Sequence, residues 1–360
     1  MANSNVSIFD ELSLDHVEFY VQDTAVTAAQ FVDGYGFEIY GASEPAEPAE
    51  AIRSVALGKH QIRLVLTMAQ GADHPAAAYV AQHGDGVANI ALTTSDATEA
   101  FTEAVRRGAA AVAEPAERDG FITASIRGFA DVVHTFVQRP ASRAARTLPG
   151  FSSGTGAGAR FDSGLGEIDH FAVCLEAGQL IPTVEFYEKV LDFRTIFEER
   201  IVVGDQAMDS KVVQSRCGSV TFTLIEPDTS LEPGQIDKFL KNHGGAGVQH
   251  IAFTADNIVE SVGLLKSLGV SFLSTPDAYY RLLSVDPTKH SVPELQELDI
   301  LVDEDHGGQL FQIFTASVHP HGTFFMEVIE RLGARTFGSG NIKALYEAVE
   351  RQRAEAGAEK

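Results

Sequence analysis

His170, His250 and Glu327 are the residues of this chain whose types, taken together, suit a transition metal. They lie 80 and 77 residues apart, a spacing that carries no information by itself. Two neutral imidazoles and one carboxylate on one face of a metal leave the opposite face open, as in the facial triad of non-heme Fe(II) oxygenases. The chemistry needs that open face because substrate and dioxygen must both bind there. The carboxylate adds one negative charge, which retains the ferrous ion and keeps it reducing enough to engage oxygen.

A duplication singles these residues out. Residues 84–109 read GDGVANIALTTSDATEAFTEAVRRGA and residues 245–270 read GAGVQHIAFTADNIVESVGLLKSLGV, aligned without a gap at an offset of 161. A repeat of this length marks a duplicated structural unit. Asn89 falls where His250 stands, His16 matches His170, and Thr135 matches Glu327 when VVHTFVQR is set against FFMEVIER. One potential ligand of three remains in the first half, which is therefore expected to bind no metal. A lone His beside apolar residues is most often structural; three candidates at matched places of a duplicated unit favour a metal site.

The elements that must position these residues recur in both halves. LDHVEFYV at 14–21 and IDHFAVCL at 168–175 alternate as half-buried strands, with His16 and His170 near their starts. Helical spacing follows at 24–37 and 181–193, each closed by a Gly or Asp turn. Further strands are expected within 52–67 and 218–226, then the repeated strand–helix unit, then strands at 131–139 and 324–331. Two units of strand, helix and several strands per half describe an α+β fold, a curved mixed sheet wrapped around a pocket. Domains are expected at 1–145 and 167–360, joined over 146–166 by a Gly-, Ser- and Ala-rich linker. ALYEAVERQRAEAGAEK at 344–360 reads as a C-terminal helix, fraying at its end. His306 in DEDHGG reads as a turn, and His319 and His321, flanked by Pro320 and Gly322, as a surface loop.

Composition sets the outer bounds. A chain of 360 residues is long enough for two domains with full-sized cores. With 44% hydrophobic and 21% charged residues it has the make-up of a soluble globular protein. The opening residues lack a basic stretch followed by an apolar one, and no apolar run is long enough to span a bilayer. Cys174 and Cys217 are the only cysteines, too few for a disulfide framework or a thiolate metal cluster, so a cytoplasmic location is expected. A net charge of −23 disfavours nucleic acid and anionic membranes as partners.

GAGVQHIAF, DEDHGGQLFQIFT, FFMEVIER and FGSGNIKALYE resemble the 4-hydroxyphenylpyruvate dioxygenase family of the vicinal oxygen chelate superfamily. The resemblance covers nearly the whole chain. It implies two tandem vicinal-oxygen-chelate domains of paired βαβββ units, with a C-terminal lid helix over the second. It also implies Fe(II) held by His170, His250 and Glu327, a 2-oxo acid substrate that supplies its own electrons, O2 as co-substrate, and a homodimer. Ser210, Thr223, Gln235, Gln249, Gln312 and Asn341 are then polar groups of the pocket, with Phe314 and Phe337 as its aromatic wall.

Two branches of that family differ in product. One hydroxylates the ring and shifts the side chain, giving homogentisate; the other hydroxylates the benzylic carbon, giving 4-hydroxymandelate for 4-hydroxyphenylglycine and peptide antibiotics. Where the first branch usually reads GNF then LF, this chain reads Gly340-Asn341-Ile342 followed by Leu345-Tyr346. Thr223 and Ile225 also depart from the Pro and Asn usual there, so the resemblance leans to the mandelate-forming branch. A Phe in place of Ile342 would stack on the substrate ring and hold it near the oxidant; Ile lets the ring retreat and present its CH2 group. Two readings stay open beside this one, the homogentisate-forming enzyme and a non-catalytic small-molecule-binding protein of the same superfamily.

Overall fold

The computed structural model describes residues 7–43, 52–141, 146–153, 161–338, 340, 341 and 343. The first half runs β1 (Ser13–Tyr20), α1 (Thr24–Ala29), β2 (Glu38–Ser43), β3 (Ile52–Lys59), β4 (Ile62–Ala69) and α2 (Pro75–His83). It continues with β5 (Gly86–Thr93), α3 (Ala97–Arg106), β6 (Ala111–Arg118), β7 (Phe121–Arg127), β8 (Val133–Gln138) and β9 (Phe151–Ser153). The second half runs β10 (Leu165–Cys174), α4 (Leu180–Leu191), β11 (Arg194–Val203), β12 (Gln206–Gln214), β13 (Thr221–Pro227) and α5 (Gln235–His243). Then come β14 (Gly247–Ala255), α6 (Ile258–Ser267), α7 (Asp277–Arg281), α8 (Val292–Leu298), β15 (Leu301–Asp305), β16 (Gly308–Phe314) and β17 (Phe325–Leu332).

Each half is one curled sheet built from two βαβββ units. In the first, β1 pairs antiparallel with β5 at the centre, while β1 runs parallel to β4 and β5 parallel to β8. The second repeats this with β10 against β14, β10 parallel to β13 and β14 parallel to β17. A parallel pair needs a crossover, and α1, α3, α4 and α6 supply it. The expected helix 24–37 is shorter than its apolar spacing implies. It passes into one wide turn at Gln30–Gly34 and stops before Gly36, whose φ of 72° is left-handed and whose Cβ, were there one, would lie 2.7 Å from the Phe161 ring. Residues 194–214, to which the sequence pattern assigns no element, form the β11–β12 hairpin. β9 pairs with β2 at the edge of the first sheet. The helix expected over 344–360 lies outside the described residues.

Alternation along the strands sorts the two faces. Phe171 and Val173 of β10, Ile251 and Phe253 of β14, and Val17 and Phe19 of β1 point into one continuous core shared by the two halves. His170, Ala172 and Cys174 point the other way, as the period of two requires. Rings join the halves across the core: Phe222 lies 6.4 Å from Phe129, and Phe253 meets Phe37 edge-on at 5.9 Å.

His134 sits at this junction with no exposed surface. Its Nδ1–H donates to the Ile90 carbonyl at 3.1 Å, which leaves Nε2 to accept from the Tyr187 hydroxyl of α4 at 2.8 Å. Burial pushes its imidazole down from 6.5 to about 4. His134 is therefore neutral when folded and protonates on unfolding in mild acid. Its contribution to stability is complete above 6.5 and is lost as pH falls through about 4. We predict that this group removes about 3 kcal/mol of unfolding free energy between pH 7 and 4. Denaturant titrations of His134→Asn should start lower at pH 7 and show a correspondingly flatter fall.

Candidate metal centre

The three predicted ligands converge from three neighbouring strands. His170 is on β10, His250 on β14 and Glu327 on β17. Register places Ala172 opposite His250, and Ala252 opposite both His170 and Glu327. Small alanines alternate with the ligands, so the imidazoles and the carboxylate lean together over a low floor. One donor atom from each lies within 4.8 Å of the others, and all three residues are buried. Glu327 Oε2 is 3.5 Å from His170 Nε2 and 3.3 Å from His250 Nε2. Two imidazole nitrogens and one carboxylate oxygen, with no thiolate among them, are a donor set suited to ferrous iron.

Hydrogen bonds fix each ligand from behind. His170 Nδ1–H donates to Asp169 Oδ1 at 2.7 Å, turning Nε2 inward. His250 Nδ1–H donates to the Gln249 side-chain oxygen at 3.1 Å. Gln249 sits at a β-bulge, where the β10–β14 register shifts between Ala172 and Val173. Glu327 Oε1 accepts from the Gln312 amide at 2.7 Å, and Gln312 in turn accepts from the Asn341 amide at 2.8 Å. Tyr279 of α7 donates to Asn341 at 3.1 Å, which ends the relay on a side chain also tied to the Val302 backbone.

The charges are mutually compensated. Burial would raise the Glu327 carboxyl, but the His170 and His250 imidazoles overcome it and hold the group ionised. Burial would lower His170, but Glu327 and Asp169 overcome it and raise the imidazole above its ordinary value. Burial lowers His250, and repulsion from His170 adds to that. Asp169 stays well below the ordinary carboxylate range, despite burial, because Arg331 and His170 both donate to it.

The other predicted pocket residues divide into three groups. Gln312 and Phe337 touch the triad directly and Asn341 reaches it through Gln312; the Phe337 ring meets His170 edge-on at 5.1 Å. Phe314 lies 6.0 Å from His250. Ser210, Thr223 and Ile225 are on the triad's face of the sheet, because Thr223 pairs with Ala172 and Ser210 with Ile225. The Thr223 hydroxyl is buried without a partner. Gln235 is buried at the start of α5, where it lines a small cavity with Met208 and Pro227. Ile342 lies outside the described residues. Asp169, Arg331, Tyr279 and Phe325, which stacks on His250 at 4.9 Å, are absent from the residues the sequence singles out. Asp–His pairs in both halves, and an Arg closing both final strands (Arg139 and Arg331), are the signal that would have found the first two.

Fold and site together define a class. Residues 15–124 and 167–313 each match a family model described as the glyoxalase/bleomycin resistance protein/dioxygenase superfamily. The 4-hydroxyphenylpyruvate dioxygenase of Dictyostelium discoideum is 33% identical, over 94% of this chain and 97% of its own length. That of Danio rerio is 32% identical, over 94% and 90%. A solved triple mutant of 4-hydroxymandelate synthase from Streptomyces coelicolor is 42% identical, with a TM-score of 0.86 over 95% of this chain and 98% of that one. The chain belongs to the 4-hydroxyphenylpyruvate dioxygenase family and is a non-heme iron dioxygenase.

Metal binding needs a neutral His170, whose raised pKa means that proton and metal compete. Without metal, the His170–Glu327 ion pair contributes fully between the ordinary carboxylate and ordinary imidazole ranges; it is lost in strong acid as Glu327 protonates, and again as pH rises through the raised His170 value. Metal affinity should climb over that same range. Loading the apoprotein with Co(II) at pH 8 in weak buffer is expected to release a proton, read with an indicator dye. His250→Asn, which copies the first half, should abolish both binding and release.

Proposed function

We propose that the enzyme converts 4-hydroxyphenylpyruvate and O2 to 4-hydroxymandelate and CO2, with Fe(II) held by His170, His250 and Glu327. One oxygen atom enters the new carboxylate, the other enters the benzylic carbon, and the lost carbon leaves as CO2. Ferrous iron at this site would bind the 2-oxo acid and dioxygen together and supply the electron path between them. The chain's own residues do the positioning. Gln312 holds one oxygen of Glu327 and leaves the other facing the imidazoles. Phe337 and Phe314 present ring surfaces beside the two histidines. Thr223 offers its unpaired hydroxyl from the same sheet face, a partner for a polar group of the substrate.

The observation that carries this branch is the likeness to the mandelate synthase, 42% identical along nearly the whole of both chains. The curated relatives at 29–33% identity named for the pyruvate dioxygenase support the same substrate. They also make homogentisate the competing product.

Anaerobic loading with Fe(II), addition of 4-hydroxyphenylpyruvate and exposure to air separates these outcomes. 4-Hydroxymandelate is the expected product. Homogentisate would overturn the branch, and absence of oxygen uptake would leave a binding protein. Thr223→Val supplies a second check. Removal of a buried, unpaired hydroxyl should leave the melting temperature unchanged or higher, while kcat/KM falls by about fivefold to tenfold, one neutral hydrogen bond's worth.

A further inference from the structure

Arg331 closes β17, four residues beyond Glu327, and its guanidinium contacts two different parts of the site. Two arms grip Asp169, with Nε–H to Oδ2 at 2.8 Å and Nη2–H to Oδ1 at 2.9 Å. The same Oδ1 accepts from His170 Nδ1–H, so the cation fixes the group that orients this ligand. The third arm, Nη1–H, donates to the Thr336 carbonyl at 2.6 Å and reaches the Ala334 carbonyl at 3.4 Å. The guanidinium also lies over the Phe337 ring at 4.9 Å, and that ring in turn abuts His170. A planar group with donors on separate edges satisfies all these contacts at once, which an ammonium does not.

The first half repeats the device without the metal set. His16 Nδ1 is 2.7 Å from Asp15 Oδ1, Arg139 grips Asp15 through Nε and Nη2, and Arg139 Nη1–H donates to the Thr147 carbonyl at 2.8 Å. That carbonyl precedes Leu148, which packs on Ala56 and Val65 of the first sheet. In both halves, then, an arginine at the end of the second unit's final strand, β8 or β17, ties an Asp–His pair to the chain segment that follows. Asn89 and Thr135 stand where His250 and Glu327 would be, so in the first half this tie holds a segment and nothing more.

We infer that Arg331 is a positioning residue that couples the orientation of His170 to the seating of residues 334–338, so that metal binding and the ordering of that segment are one event. This rests on the metal reading of the triad. Phe337 is carried by the coupled segment, so the pocket's aromatic wall takes its place only when the ligand behind it is aligned. Arg139 is the internal control, the same contacts without the coupled ligand.

The test uses the full-length protein with Co(II) as probe, reading affinity by equilibrium dialysis and amide hydrogen exchange in peptides covering 334–338. In the parent, Co(II) is expected to slow exchange there. Arg331→Lys should bind Co(II) 10–100-fold more weakly, and any Co(II) bound at saturation should no longer slow that exchange. Arg139→Lys should lower thermal stability and leave both readouts as in the parent. Asp169→Asn, which keeps the shape and removes the charge, should reproduce the Arg331→Lys result if that variant folds poorly. The inference fails if Arg331→Lys retains the Co(II)-dependent protection, or if Arg139→Lys loses affinity equally. If the parent binds no Co(II) that His250→Asn abolishes, the metal reading falls first and takes the coupling with it.

Discussion

A carboxylate withdrawn almost wholly from water must be compensated at close range, and the second half is arranged around that need at Glu327. Its surface is 1% exposed. An isolated charge so placed would cost several kcal/mol or take up a proton. Two imidazoles face one oxygen and an amide holds the other, and each of those partners is itself secured by a further group. The ring of support runs outward through Asp169, Gln249 and Asn341 to Arg331 and Tyr279. Stability and the geometry of the candidate metal site therefore depend on the same bonds.

The first half shows how the same scaffold settles without that set. Glu18, on the equivalent face, accepts from the Thr67 hydroxyl at 2.6 Å and from the Asn89 amide at 3.3 Å. Thr135 pairs with Ser125 at 2.8 Å. Neutral partners have taken over where the second half carries its candidate ligands, while the Asp–His–Arg trio persists. The sheet tolerates either filling because the opposite face, with Val17, Phe19 and Ile90 in the shared core, does not change with it.

Much of this was legible in the residues. Strict alternation in LDHVEFYV and IDHFAVCL gave the strand faces, and the gapless repeat gave the pairing of halves, so the triad could be assembled before any geometry. The relay through Gln312 and Asn341 was reachable only through family resemblance, since an amide in a strand carries no periodic signal. Tyr279 was illegible because its partner Asn341 lies 62 residues away and depends on tertiary placement. The β11–β12 hairpin escaped notice because β11 is largely exposed and lacks a clean apolar alternation.

The shared core also shapes how the molecule comes into being. The first half leaves the ribosome with the surface that will meet Phe222, Phe253 and Tyr187 still bare. At bacterial or eukaryotic elongation speeds the second half follows only after roughly 10 s or more. Through that interval, Phe37, Phe129 and His134 keep their contacts within the first half but lack those from Phe253, Phe222 and Tyr187. A net charge of −23 sets like-charged copies to repel one another, which opposes contact between such bared surfaces.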